Sequence, residues 1–229
     1  MNFHLISFYF HCRIFPTIKL GGLSHMKILF LNGSLRRGGS TDGVVDFARQ
    51  YLEKNYPEVQ VETIYLCEKE IQICDSDYYC DTGICGIQDD VRGIVNIMKK
   101  ADAIVYALPV HAFGANSLMQ IFLERAGVGY LRFERPLEGK LASVIVTGRR
   151  YSHELVWSQI ALNIMLNKMI LVGSGFPAVV KSDGKERGRT ILDQEGKGAV
   201  IETCDKIASF LKFNAEVPLN MVKTNRKNS

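Results

Sequence analysis

The stretch Met26-Lys27-Ile28-Leu29-Phe30-Leu31-Asn32-Gly33-Ser34-Leu35-Arg36-Arg37-Gly38-Gly39-Ser40-Thr41 decides how this chain folds. It opens on an abrupt apolar run, the pattern of a strand buried on both faces, as in a parallel sheet. A turn rich in glycine and hydroxyls follows. Immediately beyond it Val44, Val45, Phe47, Ala48, Tyr51 and Leu52 fall at helical spacing. Strand, tight polar turn and helix are the opening half of a βαβ unit.

The alternation continues along the chain. Short runs rich in β-branched residues at 59–66, 103–108, 141–147 and 169–173 join the one at 26–31 as predicted strands. Predicted helices lie at 89–100, where Val91, Ile94, Val95 and Met98 share a face, and at 116–126, 153–167 and about 195–213. Strands alternating with helices imply right-handed crossovers and a sheet covered on both faces. Five such strands fit an α/β three-layer sandwich whose parallel sheet has the doubly wound, flavodoxin-like order 2-1-3-4-5. Sheets of this kind bind ligands outside the carboxyl ends of their strands. The turns after the first, third and fourth strands are therefore where chemistry is expected.

Composition bounds the rest. With 229 residues, 47% hydrophobic and 23% charged, the chain suits one well-packed domain with extensions. The net charge of +4 is scattered, and only the tail from Lys223 to Lys227 clusters basic residues, which argues against a nucleic-acid partner. No apolar run reaches the length that crosses a bilayer, so no membrane partner is expected. The apolar first ten residues lack the form of a secretory signal. Asn2 and His4 stand where basic residues would, and Arg13, Pro16 and Lys19 follow instead of a small-residue cleavage site. A cytoplasmic protein is expected. Because Met26 begins a buried strand so abruptly, residues 1–25 are read as an extension outside the fold, 26–215 as the domain and 216–229 as a polar tail.

The first turn has the chemistry of a phosphate cradle. Glycines let the backbone bend sharply and bring N–H groups close to an anion. The helix start adds unpaired N–H groups and a positive dipole end. Ser34, Ser40 and Thr41 supply hydroxyls, and Arg36 can neutralise a phosphate dianion. The turn lacks the Gly-Lys-Ser/Thr ending of a triphosphate loop, and Ser34 and Leu35 after Gly33 break the GxGxxG dinucleotide pattern. The competing reading is a polar turn with Thr41 or Asp42 as helix cap. Asp42 opposes an anion unless its carboxylate points away.

Residues 26–41 resemble the opening of the NADPH-dependent FMN reductase family, whose members carry a strand, Gly-Ser-x-Arg, small residues and then Ser/Asn-Thr. The resemblance continues through Ala101-Asp102-Ala103-Ile104-Val105, Pro109-Val110 and Phe122-Leu123-Glu124-Arg125, and covers roughly residues 26–175. It implies that Ser34, Arg36, Ser40 and Thr41 hold the phosphate of FMN. It implies further that Pro109, Val110, His111, Ala112, Phe113 and Gly114 lie along the isoalloxazine ring, and that Thr147, Gly148 and Arg149 touch the flavin. The chain departs from the family's pattern at His111, where a tyrosine is usual, at Gln120, where a lysine is usual, and at Glu124, where an aspartate precedes the arginine.

By the same resemblance the protein is an NAD(P)H-dependent oxidoreductase acting on a flavin, quinone or other small acceptor. A homodimer or homotetramer is implied; 116–126 and Tyr130–Phe133, where exposed aromatics are expected, are read either as its subunit contacts or as core or lid. The alternative is an electron carrier serving a redox partner protein.

Six cysteines stand at 12, 67, 74, 80, 85 and 204, and three of them crowd into Cys74-Asp75-Ser76-Asp77-Tyr78-Tyr79-Cys80-Asp81-Thr82-Gly83-Ile84-Cys85. This loop is similar to the cysteine run of iron–sulfur flavoproteins that binds a [4Fe–4S] cluster. Cys74, Cys80 and Cys85 match three ligand positions, Asp77 stands where another cysteine would be, and Asp77 or Cys67 would be the fourth ligand. Three readings stay open: a cluster, a zinc site, or a loop of free thiols without metal.

Overall fold

Alternate residues of strand β1 (Met26–Asn32) enter opposite apolar layers, Ile28 and Phe30 on one side and Leu29 and Leu31 on the other. Strand β3 (Ala103–His111) repeats the alternation, with Ala103, Val105 and Ala107 on the Phe30 side and Ile104, Tyr106 and Leu108 opposite. Both strands are central, and the runs Ile28–Asn32 and Ala103–Leu108 are buried throughout. The Phe30 layer is closed by Val44, Val45, Ala48 and Leu52 of helix α1 (Ser40–Asn55) and by Val200, Ile207 and Ala208 of helix α5 (Gln194–Glu216). Helices α2 (Val91–Lys100), α3 (Ser117–Ala126) and α4 (His153–Leu166) close the other layer through Ile94, Phe122, Val156 and Ile160.

This computed structural model describes residues 26–76, 80, 85–182 and 193–216. The extension 1–25, the tail beyond 216 and Asp77 lie outside the described residues. Strand β2 (Val59–Tyr65) pairs with β1, β1 with β3, and β3 with β5 (Leu141–Gly148), all in parallel. The fifth position is shared. Strand β6 (Ile170–Leu171) pairs with Leu141 and Ala142, and β7 (Ala178–Lys181) pairs with Ile145 to Gly148 further along the same neighbour. The order 2-1-3-4-5 therefore holds, with its last strand in two pieces.

The predicted strand at 169–173 is corrected accordingly. Its regular part is only Ile170–Leu171, and the chain regains the sheet at Ala178 after Gly173-Ser174-Gly175-Phe176-Pro177. Glycines weaken a strand and proline offers no N–H to the ladder, so the break falls where the chemistry puts it. Strand β3 also outruns its predicted end at 108. Its last residues turn back on β4 (Gly114–Ala115) as an antiparallel hairpin, Val110 opposite Ala115 and His111 opposite Gly114.

One buried ion pair fastens the layer that holds α2 and α3. The Arg125 and Asp89 side chains, 2% and 0% exposed, meet at 2.7 Å. Asp89 also accepts the Gln72 N–H at 3.0 Å and the Val91 N–H at 3.1 Å, while Arg125 donates to the Gln72 carbonyl at 2.6 Å. Burial pushes the Asp89 carboxyl up, but the Arg125 hydrogen bond and the two amides outweigh it and hold the group below the usual carboxylate range. A carboxyl so held adds stability above its unfolded pKa, and that stability is lost as pH falls through the folded value. Arg125→Met, which leaves Asp89 buried without its cation, is expected to lower the unfolding free energy by about 3–5 kcal/mol in urea titrations at neutral pH. The deficit should shrink in acid, where Asp89 is protonated in both states.

Candidate active site

The turn after β1 is held from inside. Gly33 N–H continues the ladder to the Ala107 carbonyl at 2.8 Å, and Asn116 Nδ2 donates to the Gly33 carbonyl at 2.5 Å. Asn32 bridges the turn: its Oδ1 accepts the Ser34 N–H at 2.9 Å and its Nδ2 donates to Asp42 Oδ1 at 2.7 Å. The other Asp42 oxygen accepts the Gly38 N–H at 2.6 Å and Arg37 Nε at 3.0 Å. Gly38 has φ +68°, a left-handed conformation that a side chain would strain. Arg37 is drawn away from the cleft, bonded to Glu68 and lying over the Tyr65 ring at 3.4 Å.

These bonds settle the objection that Asp42 raised. Its carboxylate is buried and faces inward, its charge engaged by three donors. Gly39 at the N-cap supplies no side-chain hydrogen bond, so the first-turn amides of α1 remain open toward the cleft. Ser34 Oγ braces the turn by donating to the Arg36 carbonyl at 2.8 Å. The Arg36 guanidinium has no carboxylate partner among the described residues.

The cleft has a volume of about 410 Å³ and joins the carboxyl ends of four strands. Ser34, Arg36, Ser40 and Thr41 line its first wall. Pro109 and His111 come from β3, and Thr147, Gly148 and Arg149 from the end of β5. Thr41 and Thr147 hydroxyls meet at 2.7 Å, and the Ser40 hydroxyl lies 2.5 Å from that of Ser182. Ser182, whose N–H donates to the Gly148 carbonyl at 2.8 Å, enters because β7 stands beside β5. Val110, Ala112 and Phe113 open instead into an adjoining cavity, which Arg149 shares. Gly114 lines neither space, being taken up by the hairpin.

A hydroxyl-lined helix start with an unpaired guanidinium fits a phosphate monoester, and the strand-end loops beside it have the apolar and backbone character a flavin ring needs. A family model described as NADPH-dependent FMN reductase matches residues 26–183. The chain belongs to that family. An iron–sulfur flavoprotein of Methanocaldococcus jannaschii is 30% identical over 194 residues, covering 82% of this chain and 98% of the relative. Among solved structures, RosB with bound 8-demethyl-8-formylriboflavin 5′-phosphate has TM-score 0.63 at 18% identity, covering 84% of this chain and 81% of its own. FerB, a flavoenzyme NAD(P)H:(acceptor) oxidoreductase of Paracoccus denitrificans, has TM-score 0.61 at 12% identity, covering 82% and 98%. At these identities the two structures show the fold alone.

Membership in the FMN reductase family makes the protein an NAD(P)H-dependent FMN oxidoreductase close to the iron–sulfur flavoprotein branch. The residues that sequence reasoning missed are supports of the cleft: Asn32, Asn116, Ser182 and His153. Only Asn32 carried a local signal, as the residue that ends the first strand. The other three reach the cleft from other elements, and no spacing in the sequence announces them.

The cysteines fare differently. Among the described residues no three His, Cys, Asp or Glu side chains converge as a metal would need. Cys74 is exposed, Cys80 and Cys85 are half-buried, and Cys85 Sγ accepts from Arg125 Nη2 at 3.7 Å. Cys67 follows β2 next to Glu68, where burial foremost, with Asp42 and Glu68, pushes its thiol up. The described thiols do not fit a cluster in this arrangement, and Asp77 lies outside the described residues.

Gly148 is a position where a side chain would crowd its neighbours. A methyl there would stand 2.7 Å from His153 Nε2 and 3.2 Å from Val110 Cγ2. His153 is buried, and that nitrogen has no hydrogen-bond partner among the described residues. Gly148→Ala is expected to lower stability by about 1–3 kcal/mol through overpacking. It should also weaken FMN binding about tenfold by displacing the Thr147–Arg149 wall, as read by thermal melts and flavin titration.

Proposed function

We propose that the cleft seats FMN with its phosphate against Ser34, Arg36, Ser40 and Thr41, and its ring beside Pro109, His111 and Thr147–Arg149. We assign the protein the transfer of two electrons and a proton from NAD(P)H, with one further proton from water, to a small quinone-like or flavin acceptor. When bound, FMN supplies that redox chemistry, relaying electrons between the nicotinamide and the acceptor. The chain's own residues bind, orient and exclude water. Arg36 offsets the phosphate charge, the α1 amides and Ser40 and Thr41 hydroxyls donate to its oxygens, and Pro109 and Gly148 bring backbone close to the ring position. The observation that carries the reading is the open start of α1 beside Arg36, which has no carboxylate partner among the described residues, with Asp42 turned inward.

Arg36→Ala is expected to weaken FMN binding about 10- to 100-fold, the loss of a charge-assisted hydrogen bond to a dianion, while riboflavin affinity stays within about twofold. Fluorescence titration of the full chain with each flavin checks this. Equal losses for both flavins, or none, would place the anion elsewhere.

A second reading, an iron–sulfur flavoprotein carrier serving a redox partner, is favoured by the names of curated relatives. Iron and sulfide analysis of anaerobically purified protein separates the two. The reductase reading expects NAD(P)H oxidation in Cys74→Ser/Cys80→Ser at the wild-type rate. The carrier reading requires about four irons per chain and their loss in that variant.

A further inference from the structure

Next to the phosphate cleft is a second cavity of about 430 Å³, lined by Val110, Ala112, Phe113, Arg149, Arg150 and Tyr151. Its two aromatic rings are largely in water, Phe113 being 71% and Tyr151 63% exposed. Among the described residues its only charges are the two guanidiniums, and neither has a carboxylate partner there. Arg37, Arg49 and Arg125 by contrast all pair with acids.

The turn that carries Phe113 is costly. Ala112 and Phe113 are the two central residues of the β3–β4 hairpin, and both have positive φ, 46° and 66°. Two-residue hairpins with both φ values positive are the natural place for Asn-Gly, because a side chain strains that conformation. Here a phenylalanine occupies the glycine position and presents its ring to solvent. Neither the backbone nor the core gains from that choice. A ring bound against it would.

Resting on the flavin reading above, we propose that this cavity selects the substrate: a planar aromatic acceptor bearing an anionic group, its ring against Phe113 and Tyr151 and its charge on Arg150. Flat aromatic walls favour a ring, and a cationic rim without acids favours negative charge over neutral or positive rings. Arg149 borders both spaces and is shared with the flavin, which leaves Arg150 as the residue that discriminates.

The test uses the full chain loaded with FMN and two non-reducible probes of one ring size, 2-naphthalenesulfonate and neutral 2-naphthol, titrated calorimetrically at pH 7. The sulfonate is expected to bind about tenfold more tightly than the naphthol, in line with one charge-assisted contact. Arg150→Gln should abolish that preference and leave naphthol binding unchanged. Phe113→Gly should weaken both probes about tenfold while leaving the melting temperature equal or higher, since it relieves the turn. Equal affinity for the two probes overturns the proposal, as does a preference that survives Arg150→Gln. So does a Phe113→Gly variant that melts earlier with probe binding intact, because the ring would then be structural. Protein that takes up no FMN before any probe is added overturns the flavin reading itself, a separate and earlier result.

Discussion

The cleft depends on where one carboxylate points. Asp42 sits in the first turn of α1, beside the place an anion would occupy, and free in the cleft it would repel a phosphate. Instead it turns into the protein and accepts hydrogen bonds from Asn32, Gly38 and Arg37. Three donors on one buried acid fix the turn in a single shape. That shape leaves the amides of the helix start and the Arg36 side chain facing outward. The negative charge near the helix N-terminus also suits the macrodipole, so the brace stabilises the helix it helps to position.

A second constraint comes from the sheet. The small residues Ala103, Val105 and Ala107 let α1 lie close over one face of β3, while Tyr106 and Leu108 fill the layer on the other. With its centre so packed, the sheet places the ends of β1, β3 and β5 along one edge. The break in the fifth strand adds to this edge. Because β7 takes up register with the end of β5, Lys181 stands opposite Gly148 and Ser182 reaches Ser40. An uninterrupted strand at 169–173 would have ended too early to contribute a wall.

Along the chain, the legible features were those set by neighbours in sequence. Strand-to-helix alternation, the glycine turn with its hydroxyls and the helical faces of α2 and α1 all follow from local spacing, and they carried the layer order and the first wall of the cleft. The β3–β4 hairpin was not legible, because Ala112-Phe113 lacks the Asn-Gly signal and adopts positive φ only within its tertiary setting. The resumption of the sheet at Ala178 was hidden for a related reason: four residues between a proline and a loop are too short a pattern to read as a strand. His111, marked as a departure from the tyrosine expected there, does line the cleft.

By itself, then, the sequence determined a doubly wound sheet and an anion-binding turn at its first crossover, since hydrophobic period and turn chemistry act over a few residues. Tertiary structure decided the rest: that Asp42 faces inward, that Asn116 and Ser182 join the turn from 83 and 142 residues away, and that His153 crowds any side chain placed at 148. Among the described residues it also brings no three metal-binding side chains together, and Cys85 Sγ accepts from Arg125. Contacts between residues far apart in the chain depend on how the packed layers set their distances, and no spacing in the sequence encodes that.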